Sequence, residues 1–158
     1  MNISKELEKA DGFGEIFSLV KKSVERSIDR KRDGLMLALQ YLPEELGAYY
    51  GVGSNFIVMN KALLEKVAAY QDAKTFNSYV YYILMHEYLH SLGFLNESMV
   101  RQLSYEICRQ ILGEGHESTM MAKKGIASLI PIDPRPKRQP EEIEIIEHFE
   151  QESISYIG

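Results

Sequence analysis

The chain has 158 residues, room for one domain with a real core but not for several. Apolar residues make up 45%, the formal net charge is −5, and no stripe of Lys and Arg stands out, which argues against nucleic acid as a partner. One cysteine, Cys108, excludes an intrachain disulfide. No 18-residue apolar run offers a membrane span, and the charged first ten residues lack a signal-peptide core, so the expected location is cytoplasmic.

Residues 13–32 read as a first long helix, with Phe13, Ile16, Phe17, Val20, Val24 and Ile28 at helical spacing and Asp33-Gly34 as the stop. Its basic stretch, Arg26 to Arg32, reads as a solvated helix end. Residues 35–41 form an apolar strand closed by Pro43. Residues 46–50 and 55–60 flank Gly51-Val52-Gly53-Ser54 and predict a β-hairpin. A helix over 61–70 turns Leu63, Leu64 and Val67 inward. The strongest helical segment, about 74–92, opens on Asp72 and Thr75 and stops at Gly93. Asn96 caps a helix over 97–112 that buries Met99, Val100, Leu103, Ile107 and Ile111, with Cys108 packed as a small hydrophobe. A shorter helix covers 118–127. Residues 131–140 hold four of the five prolines and read as an extended linker, followed by an acidic tail over 141–158. The expected organisation is one α+β domain over 1–130, then linker and tail.

His86-Glu87-Tyr88-Leu89-His90 is an H-E-x-x-H string inside the strongest helix. Residues four apart on a helix share a face, so both imidazoles can grip one zinc ion. Glu87 stands about 100° round from His86 on an ideal helix. From there its carboxylate reaches a water at the ion rather than the ion itself. Two ligands, one base and one open position are the parts of a zinc hydrolase. A third protein ligand is needed. His116, in the flexible setting Gly113-Glu114-Gly115-His116-Glu117, is the first choice because imidazole is a good zinc donor. Glu106 and Glu97 are the rivals, favoured if the helix after Asn96 packs antiparallel to the motif helix. Glu114 and Glu117 are further options, and His148 in the tail is a poorer one.

The residues His86, Glu87 and His90, with helices and strands in this order, resemble the gluzincin zinc metallopeptidases, and most of all the small soluble minigluzincins. The resemblance spans roughly residues 35–127 and is specific at those three positions. It implies a small mixed or antiparallel sheet backed by helices, with the H-E-x-x-H helix carrying the active site. It implies zinc as cofactor, peptide or protein as substrate, and Glu87 as the general base. The usual gluzincin third ligand is a Glu on a later helix; minigluzincins are similar in offering a His, which favours His116. The string through Gly93 to Asn96 also resembles the start of the metzincin motif, but Asn96 occupies the third-ligand position and reads as a helix cap. The resemblance further implies that the strand over 55–60 is an edge that pairs with extended substrate. It also implies that the tail, through His148, could hold the enzyme latent. The competing readings are a non-catalytic zinc-stapled interaction domain and a metal-free helical module.

Overall fold

The structure, a computed structural model, describes residues 1–70, 72–129 and 143–150. The linker over 131–140 and the end of the tail therefore lie outside the described residues. Among the described residues, six α-helices and a four-stranded mixed sheet make an α+β fold.

Helix α1 (Ile3–Lys9) is capped by Asn2, whose side chain accepts from the Lys5 N–H. The sequence gives little sign of it because it is short and charged. It is held by burial of Ile3 and Leu7 and by Asn77, which donates to the carbonyls of Leu7 and Ala10. Helix α2 (Phe13–Ile28) ends four residues before the expected stop, where Asp29 turns left-handed at φ 54°. The early exit has a use. Arg30 and Arg32 leave the helix and donate to the Leu92 and Ser91 carbonyls at the C-terminal end of the motif helix, where cations are favoured. Arg32 is therefore no solvated helix end. It also donates to the Tyr50 hydroxyl and the Ser54 carbonyl, pinning the hairpin to that helix end.

The strands are β1 (Met36–Gln40), β2 (Ala48–Tyr50), β3 (Phe56–Asn60) and β4 (Glu144–Ile146), in spatial order β2-β3-β1-β4. β2 and β3 form the expected hairpin, β3 runs parallel to β1, and β4 runs antiparallel to β1. Alternation puts Leu37, Leu39, Ile57 and Met59 into the main core, while Ala38 and Val58 join a small cluster with Leu42 on the other face. The strand over 55–60 is thus interior, not an edge, because β1 covers the side that β2 leaves open. The edge next to the helices is β2. Its loop is held by Asn60, which is fully buried: its Oδ1 accepts from the Leu42 and Ala62 N–H groups, and its Nδ2 donates to Leu42, Pro43 and Leu46 carbonyls.

Helix α3 (Lys61–Tyr70) leads to α4 (Ala73–Ser91), started by Asp72 accepting from the Thr75 N–H. α4 is the central helix: Tyr79, Val80, Tyr81, Leu84, Met85, Tyr88 and Leu89 are all nearly or fully buried. α5 (Glu97–Leu112), capped by Asn96, and α6 (Glu117–Lys124) follow, then a 3-10 turn over Ile126–Ser128. Among the described residues no helix is long and apolar enough to cross a membrane.

The C-terminal stretch is not a loose tail where it is described. β4 completes the sheet, Phe149 stacks on Phe17 with ring centroids 4.3 Å apart, and Glu150 accepts from buried Lys21 at 2.9 Å. His148, exposed, belongs to this far side, since β4 and β2 are opposite edges of the sheet. It is not near the paired histidines, so a cap on the cleft by His148 has no geometric basis here.

Candidate metal centre

His86 and His90 lie one turn apart near the end of α4, with ring centroids 5.0 Å apart. α4 stops in a Schellman cap: the Phe94 N–H donates to the Leu89 carbonyl and the Gly93 N–H to that of His90, with Gly93 at φ 107°. The cap does more than end the helix. It turns the Phe94 carbonyl onto His90, whose Nδ1 lies 2.7 Å away. A carbonyl can only accept, so Nδ1 carries the proton and Nε2 presents its lone pair outward.

Because Asn96 starts α5 only a few residues later, the first turn of α5 faces the last turns of α4. Glu97 arrives there with one carboxylate oxygen 3.0 Å from His86 Nε2 and the other 2.8 Å from His90 Nε2. The donor atoms of His86, His90 and Glu97 all fall within 4.8 Å of one another. Burial is the largest influence on His86 and lowers its pKa, which favours the neutral, ligating imidazole. For Glu97, burial pushes the pKa up, but the neighbouring imidazoles outweigh it and hold the group below its usual range, as a carboxylate.

His90 Nε2 supplies a test of fit. It is buried and makes no hydrogen bond, although a Glu97 oxygen stands 2.8 Å away off the hydrogen-bonding direction. An imidazole nitrogen and a carboxylate oxygen at that distance hold a cation between them, either a proton on Nε2 or a metal ion. Two imidazoles and a carboxylate are a donor set suited to zinc. The residues fit the ion.

His116, the first choice for third ligand, is elsewhere. It is the N-cap of α6, its Nδ1 accepting from the Ser118 N–H. Ser118 donates to the Ser78 carbonyl and Glu117 accepts from Thr75, which fixes that end of α6 beside the N-terminal half of α4. Ser78 is eight residues before His86, about 12 Å along a helix. The physical reason that His116 stands apart is the short link before α5: it brings Glu97 to the histidines and carries the following loop a helix length away. Glu106, the other rival, is half-buried and paired with Gln102 and Arg109. Glu114 bonds the Tyr105 hydroxyl and Glu117 the Thr75 hydroxyl.

Glu87 is 6% exposed, and the nearby Tyr50 backbone N–H on β2 favours its charged form. Burial first, and the Glu97 charge second, push its pKa up to about 8. It shares a cleft of about 510 Å³ with His86, His90 and Glu97, walled by Ala48, Tyr49 and Tyr50 of β2 and lined also by Tyr82, Arg101 and exposed Val52 and Leu95. Tyr82 precedes His86 by one turn, and Arg101 follows Glu97 by one turn. Neither stands out in the sequence among ten tyrosines and an even spread of charges; their spacing from the ligands on the same helices is the signal that could have found them.

Compared with known proteins, the chain matches no family model, no curated protein and no solved structure.

Proposed function

We propose that the chain is a zinc-dependent metallopeptidase of the zincin type, with His86, His90 and Glu97 as metal ligands and Glu87 as general base. The observation that carries this reading is the convergence of two imidazole Nε2 atoms and the Glu97 carboxylate in the same cleft as a buried Glu87. Zinc held there supplies Lewis-acid polarisation of the scissile carbonyl and acidifies water.

The chain's own groups divide the remaining work. Glu87 takes a proton from the attacking water and returns it to the leaving amine. Tyr82 and Arg101, both on the cleft wall, are assigned the stabilisation of the oxyanion. In β2, Gly47 and Gly51 bond toward β3, so by alternation the backbone groups of Ala48 and Tyr50 point away from the sheet. The Tyr50 N–H lies near Glu87, and the remaining outward groups suit an extended peptide added as a further strand. Substrate alignment thus falls to β2, not to the strand over 55–60.

A structural zinc site is closed by four protein ligands. Among the described residues only three donors converge, and Cys108 is buried within α5 away from them. That favours an open, catalytic position over a staple. The single cysteine accords with a cytoplasmic setting.

The test is metal analysis of purified protein with hydrolysis of a quenched peptide mixture. The reading expects one zinc per chain, activity lost to a chelator and restored by zinc, and a Glu87→Gln variant that keeps zinc but loses turnover by about 100-fold or more. Zinc retained with no turnover in either protein would favour the staple; no zinc at all would end the reading.

A further inference from the structure

A second cavity of about 570 Å³ adjoins the cleft, within the range of about 300–1,000 Å³ usual for ligand pockets. The two share Glu45, Gly47, Tyr82 and Ile83, so they meet beside the start of β2. Leu63, Ile83 and Ile126 give the second cavity an apolar wall. Among the described residues its lining holds two carboxylates, Glu44 and Glu45, and no lysine or arginine. The two carboxylates differ. Glu44 is half-buried and bonded to the ammonium of buried Lys66, so its charge is matched. Glu45 is exposed, and its carboxylate makes no hydrogen bond or ion pair among the described residues. The loop that carries it is held in place. Asn60 donates to the carbonyls on either side, those of Pro43 and Leu46, and the Glu44–Lys66 pair anchors the residue before it. An unmatched negative charge is thereby fixed at the junction of the two cavities. It is also near the proposed chemistry: Glu45 precedes Tyr50 by five residues, at most about 18 Å of chain.

We propose that Glu45 selects a basic residue of the bound peptide, lysine or arginine, a few positions from the scissile bond. The aliphatic stem lies along the wall of Leu63, Ile83 and Ile126, and the cationic head meets the Glu45 carboxylate. The inference rests on the reading of the cleft as a peptide site and names the substrate class that site prefers. Long basic side chains bury their stems on apolar surface and keep the charged head in water. An apolar wall with an exposed carboxylate beside it permits both. An acidic residue is repelled by Glu45, and an apolar one covers the wall but leaves that charge unmatched. Arg101, the cleft's own cation outside the histidines, is absent from the lining of the second cavity.

The experiment is calorimetric titration of zinc-supplemented Glu87→Gln protein with otherwise uncharged peptides that carry Lys, Arg, norleucine or Glu at one scanned position. Both peptide ends are blocked, so that no chain terminus supplies the charge. At the position that meets Glu45, the Lys and Arg peptides should bind about fivefold tighter than the norleucine peptide, the upper range for an ion pair in contact with water. The margin should shrink as salt is raised. Adding Glu45→Gln should erase it, and Glu45→Lys should turn it into a preference for the Glu peptide. Equal binding of basic and norleucine peptides at every position, or a basic preference that survives Glu45→Gln, overturns the proposal. Selective binding with no hydrolysis by the wild-type chain would sink the catalytic reading and keep the role of Glu45. Hydrolysis without selectivity would do the reverse.

Discussion

His90 Nδ1 lies 2.7 Å from the carbonyl oxygen of Phe94, a residue outside the helix that carries the histidine. The contact exists because Gly93 adopts φ 107° and lets the chain fold back over the helix end. Orientation of a metal ligand by an outer hydrogen bond is a recurrent device, and for His90, the proposed ligand, the helix cap would supply it.

Gly93→Ala tests that link. No atom would meet the new methyl, so the cost is backbone conformation alone, about 1–2 kcal/mol. The larger effect should fall on zinc affinity, lowered by about 10–100-fold, the usual cost of losing an outer partner. Competition with a chelating dye measures it; unchanged affinity would show that the cap does not aim His90.

Glu97 and His116 can be separated by the same assay. Glu97→Ala should weaken zinc binding by more than about 100-fold, since a ligand matters more than its outer partners. His116→Ala should leave affinity unchanged and cost about 1 kcal/mol of stability through the lost cap on α6. The opposite pattern would restore His116 as the third ligand.

Glu87 makes the metal-free protein sensitive to pH. Its folded pKa, up to about 8, lies above the unfolded value, so the folded state holds a proton that the unfolded state has released. Stability from this group is full below the unfolded pKa near 4.5 and is lost as pH rises toward 8. Glu87→Gln removes the penalty. The Tm of the metal-free variant should therefore exceed that of the wild type by a margin that grows from pH 5 to pH 8; a constant margin would contradict the buried carboxylate.

The C-terminal stretch should behave as structure rather than as a plug. Phe149→Ala empties a buried site stacked on Phe17 and should cost about 3–5 kcal/mol, read by denaturant titration. Deleting residues 143–158 should lower Tm and raise no activity. A rise in turnover on deletion would revive latency through the tail.

The placement of His86 and His90 on one helix face was legible because local rules set it: four residues on a helix make about one turn, and that holds wherever the helix sits. The caps at Asp72, Gly93 and Asn96, and the β2–β3 hairpin, were legible for the same reason. The side chain that meets the two histidines was not. Choosing between Glu97 and His116 needs the direction in which α5 leaves α4, and no local pattern carries it. β4 was read as tail because Ile145 and Ile146 gain their meaning only beside β1, more than a hundred residues earlier. Arg32 looked like any solvated cation until tertiary packing put the Tyr50 hydroxyl and the Ser91 carbonyl around it. The sequence by itself determined the helix bearing His86, Glu87 and His90, since backbone periodicity is a short-range property. Only the tertiary structure decided what meets those side chains, because contacts between distant segments depend on how whole elements pack.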